Sequence, residues 1–281
     1  MTSSSSPLAQ EPVGDPPPPM TESPPVGVRQ WLLQRVYDCF IGIIWMTSSP
    51  LFLLGGLVQP RLARKALSLS TCGLPELDPS DPARPRVLVH GVSVGEIKAA
   101  QSIVVALQDR YEVVVSALSD TGLEVAGQLF PGVTIVRYPF DFLPLVRRFW
   151  ARIRPDHVLL MELEAWPCFL REANRRGAPV AVVSGRITEE SFRRYRMFGS
   201  LPEFGRISLF AAQDEAYAER FRALVGSSER VVITGNVKID GLRSLEASDP
   251  DPAVEELRRT AGLYDVDGSR LVVIAGSTHE P

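Results

Sequence analysis

The sequence predicts an α/β protein with a doubly wound parallel sheet, on three observations. From Arg86 onward, short runs rich in β-branched residues alternate with amphipathic stretches. Those runs are apolar at consecutive positions, the pattern of strands buried on both faces. Charged residues gather where the runs end, the edge at which doubly wound sheets bind ligands.

The elements follow in order. Residues 1–26 are Ser/Pro-rich, with "DPPPPM" inside, and bury too little apolar surface to fold. Residues 28–65 form a hydrophobic segment in which Phe40–Val58 carries no charge. That run is close to the roughly 20 residues needed to cross a bilayer. It is too long and too far from the terminus for a signal peptide. Arg29 and Arg35 precede it, Arg61, Arg64 and Lys65 follow, and Ser48, Ser49 and Pro50 interrupt it. A single span and a hairpin dipping into one leaflet both fit, with a buried core helix as the bland alternative. A membrane anchor is expected.

The body, residues 84–242, holds the strand candidates "RVLVHG", "YEVVVSAL", "VTIVRY", "HVLLME", "PVAVVS", "SLFAAQ" and "RVVITGN". Between them lie helical patterns such as "GEIKAAQSIVVALQDR", "DFLPLVRRFWARIR", "CFLREANRRG" and "DEAYAERFRALVG". Together they predict a Rossmann-like domain. Residues 243–269 read as a polar linker. At 270–281, "LVVIAG" is a fresh buried strand and "STHE" a helix capping box, from which the start of a second α/β domain is expected. A lone strand docking on the first sheet is the alternative.

Composition narrows the function. A formal net charge of −3 argues against a nucleic-acid binder. Cys39, Cys72 and Cys168 are too scattered for a disulfide framework or a zinc site. Cys168 has no evident histidine base and reads as a core thiol. A nicotinamide dehydrogenase would need G-x-G-x-x-G after the first strand. "HGVSVGE" lacks that spacing, and its Glu96 would repel a pyrophosphate; only Asp120 could serve as a ribose ligand.

Three features stand at strand ends: Glu96, the pair Glu162 and Glu164, and Lys238. Strand alternation would point Glu162 and Glu164 to one face. Two acids and a lysine in one cleft would suit general-base chemistry with charge stabilisation. Each also has a plain reading. Ser93 and Glu96 fit a capping box, Glu164 a first-turn acid, and Lys238 a solvated lysine. The segment "GRITEESFRRYRMFG" adds Arg186, Arg193, Arg194 and Arg196, suited to phosphate contacts or to a solvated basic face.

"HGVSVGE", "PFD" (Pro139–Asp141), "MELEAWP" (Met161–Pro167), "AAQDE" (Ala211–Glu215), "TGNVKID" (Thr234–Asp240) and "AGSTHE" (Ala275–Glu280) occur in this order behind the hydrophobic segment. The set resembles the 3-deoxy-D-manno-octulosonic acid (Kdo) transferases of lipopolysaccharide core biosynthesis, glycosyltransferase family 30, from about Trp31 to Pro281. Leu163 and Ala165 replace the family's usual Thr and Leu, and Ser184–Arg186 reads "SGR" in place of "NAR".

The resemblance implies a two-domain GT-B glycosyltransferase. Its N-terminal domain would bind a lipid A precursor (lipid IVA), and its C-terminal domain the donor CMP-Kdo. It implies no cofactor and no metal, and a place on the cytoplasmic side of the cell inner membrane. Glu96 falls on the family's general base, and Glu162 and Lys238 on its transition-state stabilisers. Acceptor contacts are expected from Ser93, Gly95, Glu164, Arg186, Arg193 and Arg194. The family's CMP-binding motifs lie beyond Pro281, so a fragment, a frameshifted product and half of a split enzyme stay open. A non-catalytic, membrane-attached acceptor-binding module is the alternative function.

Overall fold

A computed structural model describes residues 28–55, 59, 67, 69–71, 73–198 and 203–239. The expected tail at 1–26, the linker at 243–269 and the strand at 270–281 lie outside these residues. The chain divides into two compact units, Met1–Asn236 and Val237–Pro281. Of the second, Val237–Ile239 is described, as a 3₁₀ turn.

In the first unit seven strands form one sheet: β1 (Arg86–Gly91), β2 (Glu112–Ala117), β3 (Thr134–Arg137), β4 (His157–Met161), β5 (Val180–Gly185), β6 (Leu209–Ala212) and β7 (Val231–Ile233). Their order is β3-β2-β1-β4-β5-β6-β7, and each neighbouring pair is parallel. The chain winds outward from β1 to β3, then returns to the far side of β1 with β4. That reversal leaves a crevice beyond the carboxyl ends of β1 and β4, the usual ligand position in such sheets.

Every residue of β1 is buried, as its apolar run Val87–Val89 requires, with Arg86 and His90 buried beside it. Val87 and Val89 enter one core, with Ile97, Val104, Val113, Val115 and Ala126. Leu88 enters the opposite core, with Val146, Phe149, Trp150, Phe169 and Phe221. The period-two geometry of a strand thus divides one sequence run between two layers. Each such fully buried aliphatic side chain contributes about 1.5–3 kcal/mol. Helices α2 (Val94–Ala99), α3 (Gln101–Gln108) and α4 (Asp120–Leu129) supply the first layer. Helices α5 (Leu143–Ile153), α6 (Pro167–Arg175) and α8 (Glu215–Val225) supply the second, and α7 (Glu189–Phe198) packs Phe192 and Tyr195 against it.

The helix starts follow local chemistry. Ser93, Ser119 and Asp214 are N-caps whose side chains accept from Glu96 N–H, Gly122 N–H and Tyr217 N–H. Helices α5 and α6 instead begin with a proline in the first turn and have no cap of their own. Buried Cys168 bears out the core-thiol reading, since burial and then the Asp141 charge push its pKa up.

The expected anchor is helix α1 (Val28–Gly55), which runs on through Pro50. Among the described residues no helix is long and apolar enough to cross a membrane. α1 lies against the α/β unit, with Gln34, Tyr37 and Asp38 turned inward. Tyr37 donates to Asp141 at 2.9 Å, Asp38 pairs with Arg171, Gln34 with Glu203, and Trp45 stacks on Phe140 at 5.2 Å. Val28, Leu32, Val36, Phe40, Ile43, Leu51 and Leu54 face outward. From Val28 to Ile43 their three- and four-residue spacing makes one apolar stripe, which Leu51 and Leu54 extend two turns further on.

Candidate active site

The end of β1 turns sharply into α2, and Gly91 permits the turn. A Cβ there would lie 3.0 Å from the Glu96 Cβ and 3.3 Å from the Ile97 Cδ1, so a side chain at this position would push the first turn of α2 off the strand by a few tenths of an ångström. Glu96 is consequently buried and reaches back over its own loop. Its carboxylate accepts from Val92 N–H at 2.9 Å and from the Ser93 hydroxyl at 2.7 Å. Ser93 thus caps α2 as expected, accepting from Glu96 N–H at 3.3 Å, while Glu96 takes its backbone bond from Val92 N–H, one residue before the cap, and not from Ser93 N–H as in a full capping box. Ser93 and Gly95 are exposed beside it.

β4 ends at Met161, and the next residue, Glu162, has φ +56°. Strand alternation therefore stops before the Glu162–Glu164 pair, and the expected common projection cannot rest on it. Ser184 at the end of β5 has φ +53°, where the β5–β6 register shifts. A left-handed conformation costs a non-glycine residue about 1–2 kcal/mol, and such strain collects at functional sites. Both strained residues are held by hydrogen bonds. Glu162 N–H donates to Val183 O at 2.9 Å, and the Gln213 side-chain amide donates to Ser184 O at 3.0 Å.

The carboxylates still act on one another. Glu164 is pushed up to about 7, first by burial, then by the Glu96 charge, with Glu162 adding a smaller push. The Trp166 indole N–H donates to Glu164 at 3.1 Å and offsets part of the rise. Arg186 Nε stands 4.0 Å from Glu162, a loose pair at the rim. Three acids from the β1 and β4 ends thus share one electrostatic environment at the switch point.

The arginines of α7 lie differently. Arg193 pairs with Glu189 at 3.2 Å and Arg194 with Glu190 at 4.0 Å, all on the exposed face of their own helix. Lys238 is exposed on the 3₁₀ turn of the second unit. Among the described residues no group of three or more His, Cys, Asp or Glu is arranged to hold a metal ion.

Two features escaped the sequence. Asp141 is buried and accepts from Cys168 N–H and Phe169 N–H, both at 3.0 Å, as a cap for α6 supplied from the β3–α5 loop. Burial raises it to about 6, against those hydrogen bonds and that of Tyr37. His90, one residue before Gly91, is buried and stacked on Tyr138 at 3.8 Å. Burial lowers it to about 3, so it stays neutral and is no acid–base group at ordinary pH. The "PFD" motif flagged Asp141, but nothing local revealed its partners.

A doubly wound sheet with three acidic residues at its switch point, Glu162 among them strained, defines a Rossmann-like ligand-binding domain. The chain belongs to the 3-deoxy-D-manno-octulosonic-acid transferase (kdotransferase) family, whose model matches residues 63–241. It is 27% identical over 223 residues to a 3-deoxy-D-manno-octulosonic acid transferase of Chlamydia trachomatis serovar D, covering 75% of this chain and 50% of that one. The Haemophilus influenzae enzyme of the same name is 29% identical over 257 residues, 88% of this chain and 54% of that one. The chain thus spans about half the length of these relatives. Among solved structures, a UDP-GlcNAc 2-epimerase from Neisseria meningitidis aligns with TM-score 0.48 at 15% identity, over 65% of this chain and 55% of that one.

Proposed function

We propose that the chain carries the acceptor half of a Kdo transferase that moves Kdo from CMP-Kdo to lipid IVA. The observation that carries this reading is the cluster of Glu96, Glu162 and Glu164 at the switch point of a family member. In the reaction, an acceptor hydroxyl loses its proton to Glu96 as its oxygen bonds the anomeric carbon of Kdo. The bond from that carbon to the CMP phosphate breaks, and CMP leaves with the electron pair. The two donors to Glu96 occupy part of its capacity, and a carboxylate has about four lone-pair sites, so an acceptor hydroxyl can still bind. Glu162 and Lys238 would stabilise the transition state. Ser93, Gly95, Glu164, Arg186, Arg193 and Arg194 would contact the acceptor.

On the same reading the protein works on the cytoplasmic side of the inner membrane. The outward stripe of α1 would lie in the lipid interface. The test is Glu96→Gln in the protein expressed from its complete reading frame, in membranes supplied with CMP-Kdo and lipid IVA. Turnover should fall about 10²–10⁴-fold with little change in acceptor binding. Near-normal turnover would leave Glu96 as a helix cap. Lipid IVA binding by the unaltered protein without transfer would favour a binding module.

A further inference from the structure

Helix α1 meets the start of α6, next to the candidate site, chiefly through one buried carboxylate. The Tyr37 hydroxyl donates to Asp141 Oδ2 at 2.9 Å, and the same oxygen accepts from Cys168 N–H at 3.0 Å. Asp141 Oδ1 takes Phe169 N–H at 3.0 Å. These amides are the second and third of α6, which has no side-chain cap at Trp166. One residue earlier the chain is already in the site. Trp166 N–H donates to Glu164 O at 3.1 Å, and its indole N–H donates to the Glu164 carboxylate at 3.1 Å. Burial, then the Asp141 charge, pushes the Tyr37 pKa up, so its hydroxyl keeps the donor proton. Asp38, one residue along α1, pairs with Arg171 and accepts from Cys168 Sγ at 3.4 Å, a second strut to the same turn.

We propose that Tyr37 is a positioning residue of the site, fixing Asp141 as the cap of α6 and thereby the Glu162–Trp166 segment. α1 is then a working part of the domain as well as its outer helix. Undocking the inward face of α1, with Tyr37 and Asp38, would slacken the turn that carries Glu164. Any effect on sugar transfer rests on the transferase reading; the effect on α6 does not.

The experiment is Tyr37→Phe, with Asp141→Asn as a second variant, followed in two ways. Hydrogen exchange on the 281-residue chain reports the cap directly. The Cys168 and Phe169 amides should exchange about tenfold faster in Tyr37→Phe, while Val89 in β1 stays as in the unaltered chain. Turnover of CMP-Kdo with lipid IVA, measured on the complete reading frame in membranes, should fall about tenfold, and the acceptor KM should rise because the slackened turn carries Glu164. The double variant should fall no further than Asp141→Asn alone, because the two side chains act through one contact.

Unchanged exchange at Cys168 and Phe169 would overturn the proposal whatever the reaction. Faster exchange with unchanged turnover would reduce Tyr37 to a structural contact. If the unaltered protein transfers no Kdo, the transferase reading fails and the exchange data still decide the cap.

Discussion

Glu164→Gln should stabilise this protein above neutral pH, against the usual effect of altering a partly buried side chain. The Glu164 carboxyl is raised from its ordinary 4.5 to about 7 by burial and by the Glu96 and Glu162 charges. Each tenfold change in proton affinity is worth about 1.4 kcal/mol, so ionising Glu164 in the folded state costs up to about 3 kcal/mol. Solvent still reaching the carboxylate brings the expected figure to about 2 kcal/mol. The sign follows from proton counts. Below about 4.5 the group is protonated whether folded or unfolded, and there is no cost. Between about 4.5 and 7 the folded chain holds a proton that the unfolded chain has lost, so stability falls as pH rises. Above about 7 the full cost is present. Glutamine removes the charge and keeps an oxygen for the Trp166 indole N–H. Thermal melts at pH 8 should therefore place the variant roughly 4–8 °C above the unaltered chain, shrinking towards zero near pH 4.5. A variant no more stable at pH 8, or a gain of equal size at pH 5, would refute the carboxylate cluster as its cause.

Two further outcomes test the surfaces around the site. Replacing Leu32, Val36 and Phe40 by serine on the outward face of α1 should weaken partitioning onto anionic phospholipid vesicles at least about 100-fold, since each apolar side chain contributes on the order of 1.5–3 kcal/mol when buried; unchanged partitioning would remove the membrane from the reading. Arg193→Ala with Arg194→Ala should shift stability by less than about 0.5 kcal/mol, because both arginines sit in exposed pairs on their own helix. If they also meet acceptor phosphates, lipid IVA affinity should drop about tenfold and lose part of its salt dependence; intact affinity would leave them as a solvated face.

The sheet was legible because a parallel strand covered on both sides must be apolar at successive positions, as Val87, Leu88 and Val89 are. The three glutamates were legible for a related reason: in a winding of this kind, polar residues just past an apolar run fall on the ligand edge. What could not be read is contact between distant elements. Tyr37 and Asp141 lie 104 positions apart, and no spacing rule connects them. The same gap hid the inner face of the hydrophobic segment. The charge-free run Phe40–Val58 drew attention to the membrane, while the inward hydrogen-bonding residues Gln34, Tyr37 and Asp38 stand just before it. Local pattern likewise suggested that Glu162 continues the strand, whereas its positive φ ends it.

The position of Glu96 bears on where an anionic substrate could sit. A helix start after a strand ordinarily offers free N–H groups to a phosphate. Here Val92 N–H and the Ser93 hydroxyl are already taken by Glu96, and the glycine at 91 lets that carboxylate fold back onto its own turn. The loop is thus filled by an internal anion, and Glu162 and Glu164 add charge of the same sign around it. A phosphate brought to the crevice would be repelled from the β1–β4 side and drawn towards Arg186 at the rim, the cation beside Glu162. On the proposed reading, this separates the two demands of the reaction. The proton acceptor sits in the acidic crevice, where a neutral sugar hydroxyl can approach, and the phosphate leaving from the attacked carbon is turned away from the three acids, towards the Arg186 side. Capping and catalysis are then compatible duties for Glu96, since the hydrogen bonds that cap α2 also fix the carboxylate in one orientation.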